Sequence, residues 1–301
     1  MIMYDARSLK QDLQYHKQRK HYGNINFPTF APVKSINQII SPIAAELAQF
    51  EVFFRQTLRS ESEPMNSIMQ YVLGSKGKRL RPMLVLLSAK LFGEVNEQTL
   101  RAATFMEMLH TATLIHDDVV DDADTRRDKA SVKARFGNLS AVLAGDFLLA
   151  KAMMLLNLPN DHDILQEMLR TTAAMSEGEL MQTTVADCVP QSENETSPYL
   201  EIITRKTALL MRSCCVAGAL SVNASPEQIE QISEFGLNFG ILFQLHDDLV
   251  DGENTAQAEA LLPTYYDKAL QALKGFGNPE IVDALQSMTH SFFETSKPTN
   301  R

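Results

Sequence analysis

Leu109-His-Thr-Ala-Thr-Leu-Ile-His-Asp-Asp-Val-Val-Asp-Asp122, with Arg126 and Arg127 close behind it, is the stretch on which the reading of this chain turns. No Gly or Pro occurs from Glu94 to Phe136, and Leu109, Leu114, Ile115, Val119 and Val120 recur at helical rather than strand spacing. That pattern predicts a helix, uninterrupted from about Leu100 to Asp122. Set into it are Asp117, Asp118 and Asp121. Positions four apart share a helix face, so Asp117 and Asp121 point the same way, with Asp118 flanking them. Carboxylates crowded like this repel one another and lose hydration unless a cation neutralises them. Oxygen ligands without Cys or paired His at zinc spacing suit a hard ion such as Mg²⁺. A single cluster of this kind is more often a solvated helix face.

The cluster is repeated. His246-Asp247-Asp248-Leu249-Val250-Asp251 follows a second apolar, helix-compatible run, Phe239-Gly-Ile-Leu-Phe-Gln-Leu245. Two such hexapeptides on two buried helices suggest a facing pair that holds several Mg²⁺ ions. Mg²⁺ dehydrates reluctantly and completes its shell with water and substrate phosphates. The expected substrate therefore carries a diphosphate.

With these motifs the chain resembles the trans-type polyprenyl diphosphate synthases, which carry two Asp-Asp-x-x-Asp motifs on facing helices. The resemblance runs from about Ile39 to Asp251. It also takes in Gly77-Lys-Arg-Leu-Arg-Pro82, Gly145-Asp-Phe147, Glu177-Gly-Glu179, Lys206-Thr207 and Phe243-Gln244. Long-chain members that make quinone side chains look most similar. The resemblance implies an all-α, single-domain antiparallel bundle around a central cleft, working as a homodimer. It implies Mg²⁺-dependent condensation of isopentenyl diphosphate with an allylic prenyl diphosphate. Asp117, Asp118, Asp121, Asp247, Asp248 and Asp251 would hold metal. Gly77, Lys78, Arg81, His110 and Arg127 would meet isopentenyl diphosphate, and Arg126, Lys206, Thr207 and Gln244 the allylic diphosphate. Ionisation would leave an allylic cation, stabilised as its diphosphate departs by Lys206, Arg126 and the metals. No side-chain nucleophile is required.

Composition bounds the rest. With 301 residues, 45% of them hydrophobic, and no Pro/Gly/Ser-rich linker between residues 40 and 250, one domain over 39–301 is expected. Strand signals are scarce, so the fold class is all-α. A net charge of −9 and a pI near 5.3 argue against nucleic acid as a partner. Three cysteines, two of them adjacent at Cys214 and Cys215, form no disulfide framework and point to a reducing cytoplasm. No apolar run of about 18 residues is evident, so no membrane span is expected. Residues 1–38 read as a poorly ordered extension.

Along the chain, a first helix is expected from Ser41 to Leu58, with Ile43, Leu47, Phe50 and Phe54 on one face. The basic segment Gly74 to Pro82 reads equally as a solvated turn or as a diphosphate clamp, in which Gly permits close approach and Lys and Arg donate. A helix from about Leu139 to Asn157 carries Met153, Met154, Leu155 and Leu156, core by default and compatible with a tunnel lining. Glu177, Glu179 and Gln182 fall on another helix, and a turn-rich break spans Asp187 to Pro198. Gly236 and Gly240 permit close helix packing. Ala112 and Thr113 are small where short-chain members of the resembled family often carry an aromatic floor, which implies a long product.

After Asp251 the chain departs from the family pattern. Members usually continue with a mobile loop bearing Gly-Lys, another Asp and Lys-Thr-Leu-Pro. Here Leu261-Leu-Pro263 reads as a remnant of that loop's end, or Tyr265–Leu273 reads as a closing helix after a deletion. The expected lid is shortened or missing. Two further readings therefore stand beside an active enzyme. One is a catalytically weak partner subunit that binds isoprenoid diphosphate. The other is a class I terpene cyclase, which is disfavoured by the Asp-rich second cluster.

Overall fold

The computed structural model describes residues 35–75, 77–126, 128–184 and 198–294. Thirteen α-helices carry the described fold. They are α1 (Ile36–Ile40), α2 (Ala44–Thr57), α3 (Glu63–Leu73), α4 (Leu80–Phe92), α5 (Glu97–Val120), α6 (Val132–Phe136), α7 (Asn138–Leu155), α8 (His162–Thr184), α9 (Pro198–Ile203), α10 (Leu209–Ser221), α11 (Pro226–Asp251), α12 (Thr255–Ala272) and α13 (Pro279–Glu294). A π-helical turn, Thr204–Ala208, joins α9 to α10. The described strands, β1 (Thr125–Arg126) and β2 (Lys129–Ala130), form one antiparallel ribbon.

Helix α10 lies at the centre, touching α4, α5, α8 and α11. Its residues are mostly small or unbranched, among them Cys214, Cys215, Ala217, Gly218 and Ala219, and nearly all are buried. Small side chains let neighbouring backbones close in. A Cβ on Gly218 would fall 2.3 Å from the Val85 carbonyl of α4, and one on Gly240 of α11 2.6 Å from the Ala208 Cα. The pairing of Gly236 with Gly240 thus has the packing role its spacing suggests. Cys214 and Cys215 are buried free thiols whose pKa values burial pushes up.

Both aspartate helices start from defined caps. Asn96 accepts from the Thr99 amide at the start of α5. At α11 the Ser225 hydroxyl and the Gln228 amide side chain exchange bonds with each other's backbone, and Pro226 takes the first helical position. Their ends differ. α11 closes on Gly252 in the left-handed region (φ 78). α5 stops at Val120, within two residues of the expected end at Asp122, where acidic residues at a helix C-terminus oppose its dipole. Asp122 turns left-handed (φ 52), and Lys133 then ties the chain by an ion pair to Asp122 at 2.5 Å.

Other expectations shift as well. The first helix is preceded by α1 and a 3-10 turn at Ser41–Ile43, while Ile43, Leu47, Phe50 and Phe54 are buried together as read. Residues 1–34, and the expected break from Asp187 to Pro198 up to residue 197, lie outside the described residues. Met153 and Met154 are not core: they are 40% and 74% exposed, whereas Leu156 is buried. Helix α7 is long and apolar enough to cross a membrane by length and composition alone, contrary to the expectation of no such run. It carries Asp146 and Lys151 and packs on α5, where Gly145 makes room for His116.

Only residues 252–254 separate α11 from α12, and α12 lies back along α11. Leu262, Tyr265 and Tyr266 bury against Ile241, Leu245 and Leu249. Leu261-Leu-Pro263 and the stretch from Tyr265 therefore belong to one helix, with Pro263 inside it. The segment is helix, as the closing-helix reading has it; Leu261-Leu-Pro263 is not a loop end, and three residues connect Asp251 to α12.

Candidate active site

The site is built around the π-helical turn. Gly178 of α8 has no side chain to hold that turn away: a Cβ there would sit 2.7 Å from Arg205 Cβ and 2.9 Å from the Lys206 amide nitrogen. The two elements are then riveted by Arg205 to Glu177 (2.6 Å) and Lys206 to Glu179 (2.8 Å), and Lys206 also donates to Gln182. A π turn adds a residue to the helical repeat and redirects the side chains beyond it. Here consecutive side chains serve opposite sides. Lys206 sets its charge where Asp117 of α5 feels it. Thr207 donates to Gln244 Oε1 of α11 (2.7 Å), and Gln244 donates in turn to Asp248 Oδ1 (2.7 Å).

The two aspartate clusters have the same internal layout. In each, the second carboxyl is buried and already bonded. Asp118 Oδ1 takes both Nε (2.8 Å) and Nη2 (2.6 Å) of Arg126. Asp248 has both oxygens engaged, by Gln244 and by the hydroxyl of Tyr199 on α9 (2.6 Å). Burial and that carboxylate raise the Tyr199 pKa far above the usual phenol range. In each cluster the first carboxyl is half-buried and destabilised as an anion. Burial first, then Glu179 and Asp121, push Asp117 up to about 6 against the pull of Lys206 and Arg126. Burial, Asp251 and Asp248 push Asp247 up to about 7 against Lys78 and Arg81. The third carboxyls, Asp121 and Asp251, are exposed one turn further on. The sequence reading treats all six as equivalent ligands; in the structure they differ in burial and in hydrogen bonding.

The basic segment is divided too. Lys78 and Arg81 lie within the field of Asp247. Arg79 between them turns away. It is left-handed (φ 55, ψ 31), donates to Glu51 of α2 and Glu107 of α5 (both 2.6 Å), and lies over the Phe54 ring at 4.9 Å. A left-handed non-Gly residue costs about 1–2 kcal/mol, which those contacts offset. His110 lines a cavity with Glu107, Leu114, Asp118 and Arg126. Gly77 lies in the irregular residues just before α4, whereas Arg127 lies outside the described residues. Ala112 is fully buried, and Thr113 is half-buried with its hydroxyl on the His110 carbonyl.

Sequence reasoning missed Tyr199, Arg79, Glu51 and Glu107. The spacing of Glu107 one turn before His110 was available as a signal; the pairing of Tyr199 with Asp248, 49 positions apart, had none. Among the described residues, no three or more His, Cys, Asp or Glu gather closely enough to hold a metal by themselves. The half-buried, destabilised carboxyls fit a hard cation that takes part of its shell from water and phosphate oxygens.

The profile of the family described as polyprenyl synthetase matches residues 62–260. The chain belongs to the polyprenyl synthetase family. Among its relatives are the octaprenyl diphosphate synthase of Escherichia coli, 33% identical over 73% of this chain and 66% of that protein, so the match spans just under two thirds of the relative. The all-trans-nonaprenyl-diphosphate synthase (geranyl-diphosphate specific) of Rhodobacter capsulatus is 35% identical over 74% of this chain and 67% of that one. The heptaprenyl diphosphate synthase component 2 of Bacillus subtilis is 32% identical over 84% and 75%. Among solved structures, a polyprenyl synthase from Caulobacter crescentus, complexed with calcium and isoprenyl diphosphate, superposes with a TM-score of 0.79 at 25% identity. It covers 89% of this chain and 100% of that one. The all-α fold of this polyprenyl synthetase family member is thereby shared over 89% of its chain.

Proposed function

We propose that this polyprenyl synthetase family member is a prenyltransferase. It condenses isopentenyl diphosphate with an allylic prenyl diphosphate, with Mg²⁺, to give a long-chain all-trans polyprenyl diphosphate. The observation that carries the reading is the Lys206–Thr207 turn: Lys206 acts on the charge of Asp117 and Thr207 reaches Asp248 through Gln244, which supports a cleft shared by both clusters. The carboxyls of Asp117, Asp121, Asp247 and Asp251 would hold Mg²⁺, which when bound draws charge onto the leaving diphosphate and orients it. Asp118 positions Arg126, and Asp248 positions Gln244.

The residues divide the chemistry. Lys206, Arg126 and Thr207 receive the allylic diphosphate as its carbon–oxygen bond breaks, leaving an allylic cation. Lys78, Arg81 and His110 hold the second diphosphate so that its terminal double bond meets that cation. The new carbon–carbon bond forms, and the proton lost in restoring a double bond passes to the released diphosphate. Arg127 belongs to the same set by its motif. Relatives that make octaprenyl and nonaprenyl chains support a long product, as do the small residues Ala112 and Thr113 below the first cluster.

The exposed apolar face of α7, with Leu139, Leu143 and Met154 more than half exposed, supports a homodimer. A second reading, a catalytically weak partner subunit, is favoured by two observations: only residues 252–254 follow the second cluster before α12, and one relative is named a component. Purified chain with farnesyl diphosphate, isopentenyl diphosphate and Mg²⁺ should yield long polyprenyl diphosphates on radio-thin-layer chromatography. A folded protein that binds isopentenyl diphosphate without condensing it would move the assignment to the partner subunit.

A further inference from the structure

Three cationic residues fall within four positions of the basic segment, yet they do not act alike. Lys78 and Arg81 lie within the field of Asp247. Arg79 points into the body of the protein and spans two helices, with Nε on Glu51 of α2 and Nη1 on Glu107 of α5. Its side chain is 10% exposed and that of Glu107 8%. Arg79 is left-handed at the residue before α4 starts, and its side chain is committed to Glu51 and Glu107. Glu107 stands one helical turn before His110, on the same side of α5. One salt bridge therefore fixes the register between the segment carrying Lys78 and Arg81 and the helix carrying His110.

We propose that Glu51, Arg79 and Glu107 form a positioning lock for the isopentenyl diphosphate subsite, touching no substrate themselves. The proposal rests on the proposed function, in which Lys78, Arg81 and His110 hold that diphosphate. Glu107→Gln keeps the shape and one acceptor but removes the charge that draws Arg79 across. Its effect falls on one substrate: the KM for isopentenyl diphosphate rises about tenfold, while the KM for the allylic diphosphate stays within twofold. Residues that act as one unit are not additive. Combined with Lys78→Ala, the variant loses less than the product of the two single losses.

Glu51→Gln, at the more exposed end of the lock, shows the same split at smaller size and serves if Glu107→Gln melts too low to assay. Calorimetric titration with isopentenyl diphosphate alone reads the same subsite without turnover. Equal rises in both KM values, or full multiplicativity with Lys78→Ala, overturn the lock. A wild-type chain that binds isopentenyl diphosphate as tightly as both variants overturns the lock alone. A wild-type chain that binds none overturns the subsite and the lock together.

Discussion

Within each aspartate cluster the fold protects one carboxylate and penalises its neighbour. Asp247 is pushed up to about 7, against about 3.9 in an unfolded chain. Its folded form holds the proton more tightly, so below about pH 4 the group contributes nothing to stability. As pH rises from 4 through 7 the metal-free protein loses stability, and above that the penalty is complete. Asp247→Asn never ionises. In chelator at pH 8 it should melt roughly 5 °C above the wild type, with the gap closing toward pH 4. Millimolar Mg²⁺ should reverse the order by neutralising the wild-type carboxylate. Scanning calorimetry decides this, and a variant melting at or below the wild type at pH 8 in chelator rejects the site as a cation trap. Asp248 is the opposite case. Tyr199→Phe strands its buried Oδ2 and should lose about 1–3 kcal/mol of stability. With Asp248 in the proposed positioning role, the Mg²⁺ concentration for half-maximal activity should shift less than threefold in Tyr199→Phe and at least tenfold in Asp247→Asn. Equal shifts would make Asp248 a ligand.

At the scale of elements, glycine and its absence decide which helices can meet. Gly178 is the sharpest instance, because what it admits is the backbone of the turn carrying Lys206. Gly178→Ala puts a methyl group 2.9 Å from the Lys206 nitrogen, and a backbone atom cannot step aside as a side chain tip can. The π turn must move, carrying Lys206 and Thr207 with it. A displacement near 1 Å in a positioning group lowers turnover by about a hundredfold, so kcat should fall at least tenfold while the fold persists by circular dichroism. Unchanged kcat would show that the turn tolerates displacement. Ala112→Phe tests the neighbouring helix: Ala112 is fully buried, so the ring overpacks by about 1–3 kcal/mol and should shorten the product. Products of unchanged length would detach chain length from this face of α5. The sequence makes the close packing of Gly236 and Gly240 legible through their spacing. It conceals the π turn, since Thr-Arg-Lys-Thr-Ala carries no local sign of an extra residue per turn.

Across the whole molecule, periodicity and the duplicated acidic motif suffice for the all-α bundle and for both halves of the cleft, because both are repeating local signals. The Arg79 lock and the Tyr199 bond are not local. Each joins residues 28 to 49 positions apart, and only the packed bundle brings them together. The same limit applies to what covers the cleft. Three residues between α11 and α12 reach at most about 10 Å, and α12 lies back along α11. This connection cannot fold over the diphosphates, and the outer carboxyls Asp121 and Asp251 stay exposed. An allylic cation that the α11–α12 connection does not cover is attacked by water in competition with the double bond. With farnesyl diphosphate and Mg²⁺ but no isopentenyl diphosphate, the wild-type chain should therefore release farnesol, at roughly a tenth or more of its condensation rate if closure ordinarily suppresses that leak. Adding isopentenyl diphosphate should divert the flux to longer chains without abolishing the alcohol. Chromatography of both reactions reads the partition directly. Condensation with no alcohol above the metal-free control would mean that another part of the chain, or a second copy, seals the cleft that the α11–α12 connection leaves open.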